Sequence, residues 1–366
     1  MFLIFALYPA GIIICPDPRP AVNVGAVFEG GSMKGVGIVT PYWPDIKPGE
    51  LVEFARLAEG LGYHSIWVPE MWGRDAFSIL GLLAANTTRI KLATGIVPVF
   101  SRAPSVIAQT IATLDEISGG RMILGLGTSG PAVIENWHGV KFKKPLQRTR
   151  EYVEIIRMIL SGGRVDYDGE LFKLKGFRLQ FRPPRPDIPI LVAAIGPKNI
   201  RLTGEVADGW IPFLLPREGI NEAGKELTLG AESKGRAASE LSVCPYITTS
   251  VSEDAETAKA AVKEHIAYYI GGMGTYYYNT LVRFGYGEEA DAIRSAWEKA
   301  NRKEAVSAVS ERVLDSLSVS GTPGHGRYIV KAYIEDGMDL PVLLFPPKAS
   351  RELVRESIES LAPPYS

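Results

Sequence analysis

The stretch Ile90–Pro131, IKLATGIVPVFSRAPSVIAQTIATLDEISGGRMILGLGTSGP, decides the fold. It reads as strand, helix, strand, with a glycine-rich bend after each strand. The first apolar run stops at Thr94-Gly95-Ile96. A helix pattern follows, with Val106, Ile107, Thr110, Ile111, Leu114 and Ile117 at 3.6-residue spacing on one face. Ser118-Gly119-Gly120 breaks it, and Met122 to Leu126 runs into Gly127-Thr128-Ser129-Gly130-Pro131. Such a unit needs a parallel sheet, and parallel α/β sheets bind ligands at the carboxyl ends of their strands. Both glycine clusters fall there.

Outward from this unit the same rhythm recurs. Eight strands are expected, at Gly35–Thr40, Ser65–Pro69, Ile90–Ile96, Met122–Gly127, Ile188–Ala194, Gly209–Pro212, Leu241–Thr249 and Leu340–Phe345. They are short, continuous and aliphatic, as strands covered on both faces are. Leu51, Phe54, Ala55, Ala58 and Leu61 mark a helix that Gly62 ends; another opens at Pro145, and a third at Pro197 with Ile200, Thr203, Gly204 and Ala207 inward. Two stretches interrupt the alternation. Residues 165–186 read as a hairpin about an Asp168-Gly169 turn, and residues 271–320 read as a helical lid opening on Tyr276-Tyr277-Tyr278. The expected fold is α/β, a TIM (β/α)8 barrel over residues 33–350 with insertion segments after strands 4 and 7; a doubly wound sheet is the runner-up. Residues 351–366 are expected to form a C-terminal tail.

The chain has 366 residues, 46% hydrophobic and 22% charged, with a net charge of −1. That balance argues against a duplex nucleic-acid binder. Its cysteines, Cys15 and Cys244, make neither a disulfide framework nor a metal-ligand spacing. A cytoplasmic location is the expectation. Phe2 to Ile14 is apolar but too short to span a bilayer and lacks a basic start, so no membrane partner is expected. Residues 1–32 read as an N-terminal extension outside the fold, with translation expected to start at Met33; a short tail packed on the barrel and a weak membrane anchor are the alternatives.

Several residues are candidates for chemistry. Gly95 sits in an aliphatic strand, where glycine marks a bulge or a close approach by a flat ring; a tight barrel corner is the plainer reading. Gly127, Thr128, Ser129 and Gly130 offer free N–H groups and two hydroxyls. Ala194, Ile195, Gly196, Pro197 and Lys198 deliver a helix start with a cation beside it, suited to a phosphate. Glu70, between Trp67 and Trp72, is a candidate proton carrier or a helix cap. His138, one of four histidines, is a candidate acid, base or ring contact, or a loop residue. No metal site is expected. Lys141, Lys143, Lys144, Arg148 and Arg150 form a basic run with no acid among them at a helix start, a conflict that an anionic ligand would offset.

Ser65-Ile66-Trp67-Val68-Pro69-Glu70, Ala93-Thr94-Gly95-Ile96, Thr113 to Arg121 and Gly125-Leu126-Gly127 resemble the luciferase-like monooxygenase superfamily. Glu135-Asn136-Trp137-His138-Gly139-Val140, Ala194 to Asn199 and Ala207-Asp208-Gly209-Trp210 are similar to its coenzyme F420-dependent branch, which includes methylenetetrahydromethanopterin reductase. The resemblance spans Met33 to about Pro347. It implies a barrel, a cis Gly95-Ile96 peptide in a bulge behind the deazaflavin, and cofactor contacts at Glu70 and Gly127–Gly130. It also implies that the helix start at Gly196-Pro197-Lys198 meets the phosphate. Thr40, Thr94, Gly95, Ile96 and Ala194 complete the candidate cofactor contacts. The expected activity is hydride transfer between F420 and a small organic substrate, with Glu70 or His138 exchanging a proton. FMN with molecular oxygen is the alternative cofactor chemistry, and a non-catalytic flavin carrier is a third reading. Family members are commonly oligomers, so a homo-oligomer is expected.

Overall fold

The computed structural model describes residues 33–365. The expected extension, residues 1–32, and the start at Met33 as against an upstream one lie outside the described residues. The strands are β1 (Gly37–Val39), β2 (Ser65–Val68), β3 (Lys91–Thr94), β4 (Val97–Pro98), β5 (Met122–Gly127), β6 (Val165–Asp168), β7 (Lys173–Phe177), β8 (Ile190–Ala193), β9 (Gly209–Ile211), β10 (Ser242–Val243), β11 (Tyr246–Val251), β12 (Ser318–Gly321) and β13 (Val342–Leu344). Every expected strand is present: Met122–Gly127 keeps its expected bounds, Leu241–Thr249 is split into β10 and β11 and runs on to Val251, and the others are shortened at one or both ends.

The main sheet is parallel, in the order β10-β9-β8-β5-β3-β2-β1-β13-β11-β12, with β4 on β5. A doubly wound sheet would leave open edges far apart. Here β1 pairs with β2 on one side and with β13 on the other, and β13 pairs with β11. β10, two residues upstream of β11, pairs with β9, so the sheet curls back on itself. The fold is α/β with a curled parallel sheet, consistent with a TIM barrel.

The two faces of the sheet bury different cores, and the period-2 alternation of strands sorts residues between them. Ile38, Ile66, Leu92, Leu124, Ile190, Ile247 and Leu343 join the large core shared with the surrounding helices. Their neighbours Val39, Trp67, Ala93, Ile123, Leu191, Ile211 and Tyr246 form a separate cluster on the other face. Each fully buried aliphatic side chain contributes about 1.5–3 kcal/mol, and both faces draw on that, hence the unbroken apolar runs.

Helix Pro104–Ser118 forms where the period placed it, but its buried stripe is rotated from the expected one. Ile107, Ala108, Ile111, Leu114, Asp115 and Ser118 are buried, whereas Val106 and Ile117 are 46% and 57% exposed. The reason is Asp115. Its carboxylate accepts from the Met122 N–H (3.1 Å) and from Arg185 Nε and Nη2 (3.0 and 2.7 Å), and those bonds require it to face the sheet.

β6 and β7 form the expected antiparallel hairpin. Residues 271–320 are largely helical, with Tyr276–Arg283, Gly287–Glu298, Arg302–Ser307 and Glu311–Leu317 packed around their own apolar cluster. They end, however, in β12, which extends the main sheet beside β11. The expected tail is also corrected. Helix Arg351–Ser360 starts on a Ser350 cap and buries Leu353, Val354 and Ile358 in the main core. Among the described residues no helix is long and apolar enough to cross a membrane.

Candidate active site

The bend after β3 is a bulge whose register can be counted. Leu92 pairs with Met122, an offset of 30, while Val97 pairs with Leu126, an offset of 29. One residue between them therefore lacks a partner. Thr94 repairs the ladder: its hydroxyl donates to Gly125 O (2.8 Å) and accepts from Gly125 N–H (2.8 Å), in place of the missing backbone bonds. Gly95 N–H donates across to Val68 O (2.8 Å). The Gly95-Ile96 peptide is cis, as the resemblance implied.

Only glycine fits at 95. A Cβ there would lie 1.8 Å from Tyr246 Oη and 3.2 Å from Trp67 Cβ. Tyr246 itself stacks edge-on against Trp67 at 5.6 Å between centroids, and its buried hydroxyl has no partner among the described residues. Gly127 is equally constrained, since a Cβ would meet Ile96 Cδ1 and Cγ1 at 2.9 Å and Ala193 at 3.5 Å. The bulge, the end of β5 and the end of β8 thus converge.

Beyond Gly127, Ser129 takes φ +56° and Thr128 Oγ1 donates to Ser129 O (3.2 Å). Beyond β8, Ala194 is buried and accepts from Trp210 Nε1 (2.8 Å), while Gly196, Pro197 and Lys198 are exposed. Helix Pro197–Val206 starts at Gly196 without a side-chain cap. Asn199, in its first turn, has a buried Oδ1 without a partner among the described residues. This helix start presents free N–H groups and positive dipole to whatever approaches.

A cavity of about 640 Å³ adjoins these strand ends, lined in part by Thr40, Tyr42, Val68, Arg74, His265 and Tyr269. A second, of about 710 Å³, is lined by Gly130, Trp137 and Tyr276 among others, and both share Trp72 and Met273. Thr40 is buried, with its N–H donating to Trp67 O (2.8 Å). His265, on helix Ala255–Gly272, places Nε2 3.4 Å from Tyr42 Oη and Nδ1 3.2 Å from Thr248 Oγ1. Burial pushes this imidazole down to about 4 and the Tyr42 phenol far up, with the Tyr269 and Tyr268 hydroxyls adding to the rise. Sequence reading missed Tyr42 and His265. Their only signal was that histidine is scarce and this one lies in an otherwise amphipathic helix.

Residues 24–340 match the family model for luciferase-like monooxygenases. The chain belongs to the luciferase-like monooxygenase family. It is 32% identical to a Mycobacterium tuberculosis protein provisionally classed as a coenzyme F420-dependent oxidoreductase, over 88% of this chain and 97% of that one. It is 33% identical to the 5,10-methylenetetrahydromethanopterin reductase of Archaeoglobus fulgidus, over 76% of this chain and 84% of the relative. Its fold superposes on the coenzyme F420-dependent tetrahydromethanopterin reductase of Methanopyrus kandleri with a TM-score of 0.79 at 27% identity, covering 90% and 98% of the two chains. The family match starts at residue 24, ahead of Met33 where the resemblance was expected to begin. This luciferase-like protein is accordingly a flavin- or deazaflavin-dependent oxidoreductase.

In this luciferase-like enzyme both expected proton carriers have defined surroundings. Glu70 is an ion-pair partner: Arg102 Nη1 and Nη2 donate to its two oxygens at 2.6 and 2.9 Å, and Ala76 N–H donates at 2.9 Å. That carboxylate holds the loop between β2 and the next helix and does not line either cavity. His138 follows helix Pro131–Asn136, with a buried Nε2 lacking a partner among the described residues, and it too lines neither cavity. The basic run meets acids from elsewhere in the chain. Lys144 pairs with Glu170 and Arg150 with Glu205, while Arg148 lies over Phe100 and Phe172 at 4.6 and 5.2 Å. Lys141 and Lys143 are exposed.

Proposed function

We propose that this protein binds coenzyme F420 and transfers a hydride between it and a small organic substrate, within a closed (β/α)8 barrel carrying insertions after its fourth and seventh strands. The observation that supports this most is the convergence of the irregular Thr94–Ile96 backbone with Gly127 and Ala193 at the strand ends, with Tyr246 and Trp67 packed behind Gly95 and Ile96 packed against Gly127. Such a surface suits a planar heterocycle. The relatives whose names include F420 favour a deazaflavin over FMN.

Thr40, Thr94, Gly95, Ile96 and the loop Gly127–Gly130 would contact the ring side of the cofactor. The uncapped helix start at Gly196-Pro197-Lys198 would take the phosphate through backbone N–H groups, helix dipole and the Lys198 charge. Both ends of a phosphorylated tricycle are therefore provided for, and the residues fit the group. When bound, the deazaflavin supplies the two-electron hydride chemistry. The chain's own work is to hold the ring flat against the bulge, to neutralise the phosphate, and to keep water off the reacting face.

Titration of the purified protein with oxidised F420, followed by fluorescence, tests the reading directly. Saturable F420 binding that weakens in Lys198→Ala is expected. Tight FMN binding accompanied by oxygen consumption on reduction would transfer the protein to the monooxygenase reading instead.

A further inference from the structure

The second cavity is a cleft with a lining unlike that of the first. Its volume, about 710 Å³, is of the size that holds a small molecule. Trp72, Trp137 and Tyr276 line it, and these large aromatic side chains are 51%, 63% and 55% exposed. Among the described residues none of the three rings stacks on another ring, lies under a cation or bonds through its polar atom. Bare aromatic surface gathered in one place marks a binding site more often than chance exposure. No lining side chain carries a formal charge; Asn136, Thr275 and the Tyr276 phenol supply the polarity. Gly130 and Gly274 also line the cleft, and beyond their chain neighbours nothing lies within 4 Å of where a Cβ would stand. The chain leaves that space open.

The rings are bare, but the backbone under each is fixed. On either side of Trp72, Glu70 and Asp75 pair with Arg102, and Arg74 donates to the carbonyls of Trp43 (3.3 Å), Pro44 (3.4 Å) and Ile46. Trp137 ends helix Pro131–Asn136; its N–H donates to Val133 O (3.0 Å), and Val140 N–H closes the next turn onto Ile134 O (3.1 Å). Of the three successive tyrosines, Tyr277 packs edge-on against Tyr269 and Phe213 at 5.1 and 5.7 Å, and Tyr278 Oη donates to Asp291 Oδ1 (2.6 Å). Those two hold the helix start and leave Tyr276 to the cleft. Little ordering remains to be done when a ligand arrives. Aromatic faces and edges favour a further flat π-system. An ion would give up hydration without meeting a counter-charge in this lining. Trp72 and Met273 line the first cavity as well, so one molecule reaching past Trp72 occupies both.

We propose that this cleft binds a flat, uncharged heteroaromatic ring by stacking on Trp137, Tyr276 and Trp72, and that the ring belongs to the part of the substrate remote from its reacting atom. The stacking site stands on the geometry of the cleft; its assignment to the substrate rests on the hydride-transfer reading above. The three residues bind and take no part in the chemistry. Binding at such a remote group helps to orient the reacting end. The substrate is then a two-part molecule, with its reacting end in the first cavity and its ring in the second.

The test uses the full chain, first without cofactor. Quinoxaline, its 2-carboxylate and cyclohexanol are titrated into it by calorimetry, and proton spectra of each ligand are recorded. Quinoxaline is expected to bind with a Kd of about a millimolar or below, more tightly than its carboxylate or the saturated alcohol. Its proton resonances should move upfield, the ring-current signature of stacking. Trp137→Ala should weaken it about five- to thirtyfold, the loss of one stacked ring, and abolish most of the upfield shift. Trp137→Phe should restore most of both, and Tyr276→Phe should change neither. The ring is exposed, so urea midpoints of these variants should match the native one. Saturation with F420 should leave quinoxaline bound, as a substrate group requires. No binding of quinoxaline, equal affinity for cyclohexanol, preference for the carboxylate, or an unchanged affinity in Trp137→Ala would each overturn the proposal. Displacement by F420 would give the cleft to the cofactor, and a dimer in sedimentation that Trp137→Ala dissolves would give it to a second copy; either overturns it too. Failure of F420 to bind while quinoxaline behaves as expected would remove the hydride reading and leave the stacking site standing.

Discussion

The two ends of the parallel strands are built on opposite rules. At the amino ends, polar side chains are tied off against the backbone. Glu59 accepts from Thr88, Arg89 and Ile90 N–H groups (2.8, 2.6 and 3.0 Å), Asp208 from Ile190 N–H (2.7 Å), and Asp339 from Val243 N–H (2.9 Å). Buried Arg121 donates to Thr87 Oγ1, Thr87 O, Ile90 O, Ala84 O and Ser118 O, all within 3.0 Å. At the carboxyl ends, Tyr246 Oη, His138 Nε2 and Asn199 Oδ1 have no partners among the described residues, and a helix starts uncapped. His64 Nδ1 is the exception at the amino ends. Saturated groups make a floor; unsaturated ones leave something to be bound. The run Leu114–Arg121, the most recognisable motif in the chain, belongs to the floor.

The largest expected effect is therefore at that floor. Arg121→Ala strips one side chain from five neutral acceptors and is expected to cost about 3–5 kcal/mol of stability, because buried carbonyl oxygens are left without donors at about 1–3 kcal/mol each before relaxation. Urea unfolding measures it, and F420 affinity of the folded fraction should not change. A loss below about 1 kcal/mol would mean that the amino ends are not the stabilising end.

His265 gives the next largest effect, through pH. Its folded-state value, near 4, lies below the ordinary 6.5 because burial penalises the imidazolium. The unfolded chain therefore takes up a proton first as pH falls. Stability from this group is complete above about pH 6.5 and is lost down to about pH 4, about 3 kcal/mol in all. Urea midpoints between pH 7 and 4 should fall less steeply in His265→Gln by that amount. Parallel slopes in the two proteins would show that His265 is not desolvated.

At the bulge the expected effect is smaller and divisible. Gly95→Ala drives a methyl into Tyr246 Oη and is expected to cost about 1–3 kcal/mol as overpacking. Tyr246→Phe removes that oxygen and leaves the ring carbon 3.0 Å away, so the double variant should recover part of the loss. Full additivity in thermal unfolding would show that the two residues do not meet.

How much of this was legible in the sequence follows from what each feature depends on. The strands were readable because both faces bury apolar residues, which writes unbroken runs such as Met122–Leu126 into the chain. Gly95 and Gly127 were readable as oddities, since glycine in a strand needs a local reason. The rotation of helix Pro104–Ser118 was not, because Asp115 turns inward for Arg185, 70 positions along the chain. The ion pair of Glu70 was unreadable for the same reason: its partner Arg102 is 32 positions away. Tyr42, Thr248 and His265 come from a loop, a strand and a helix that only the tertiary fold brings together, and each alone looks ordinary. Long-range pairing is what a spacing pattern cannot carry.

The smallest effect gives the sharpest contrast between the ends. Lys198 is exposed and stands in the first turn of a helix whose amino end is uncapped. A cation there is disfavoured by the helix dipole, so its removal should leave the urea midpoint unchanged or slightly raised. If the turn holds a phosphate, the same substitution should weaken F420 binding about two- to fivefold, and the difference should shrink as salt rises and screens the charge. Arg121→Ala and Lys198→Ala would then be mirror images, one costing stability without affinity and the other affinity without stability. A Lys198→Ala variant that binds F420 unchanged at low salt, or that unfolds more readily, would place this helix start with the floor and leave the cofactor's phosphate to some other part of the chain.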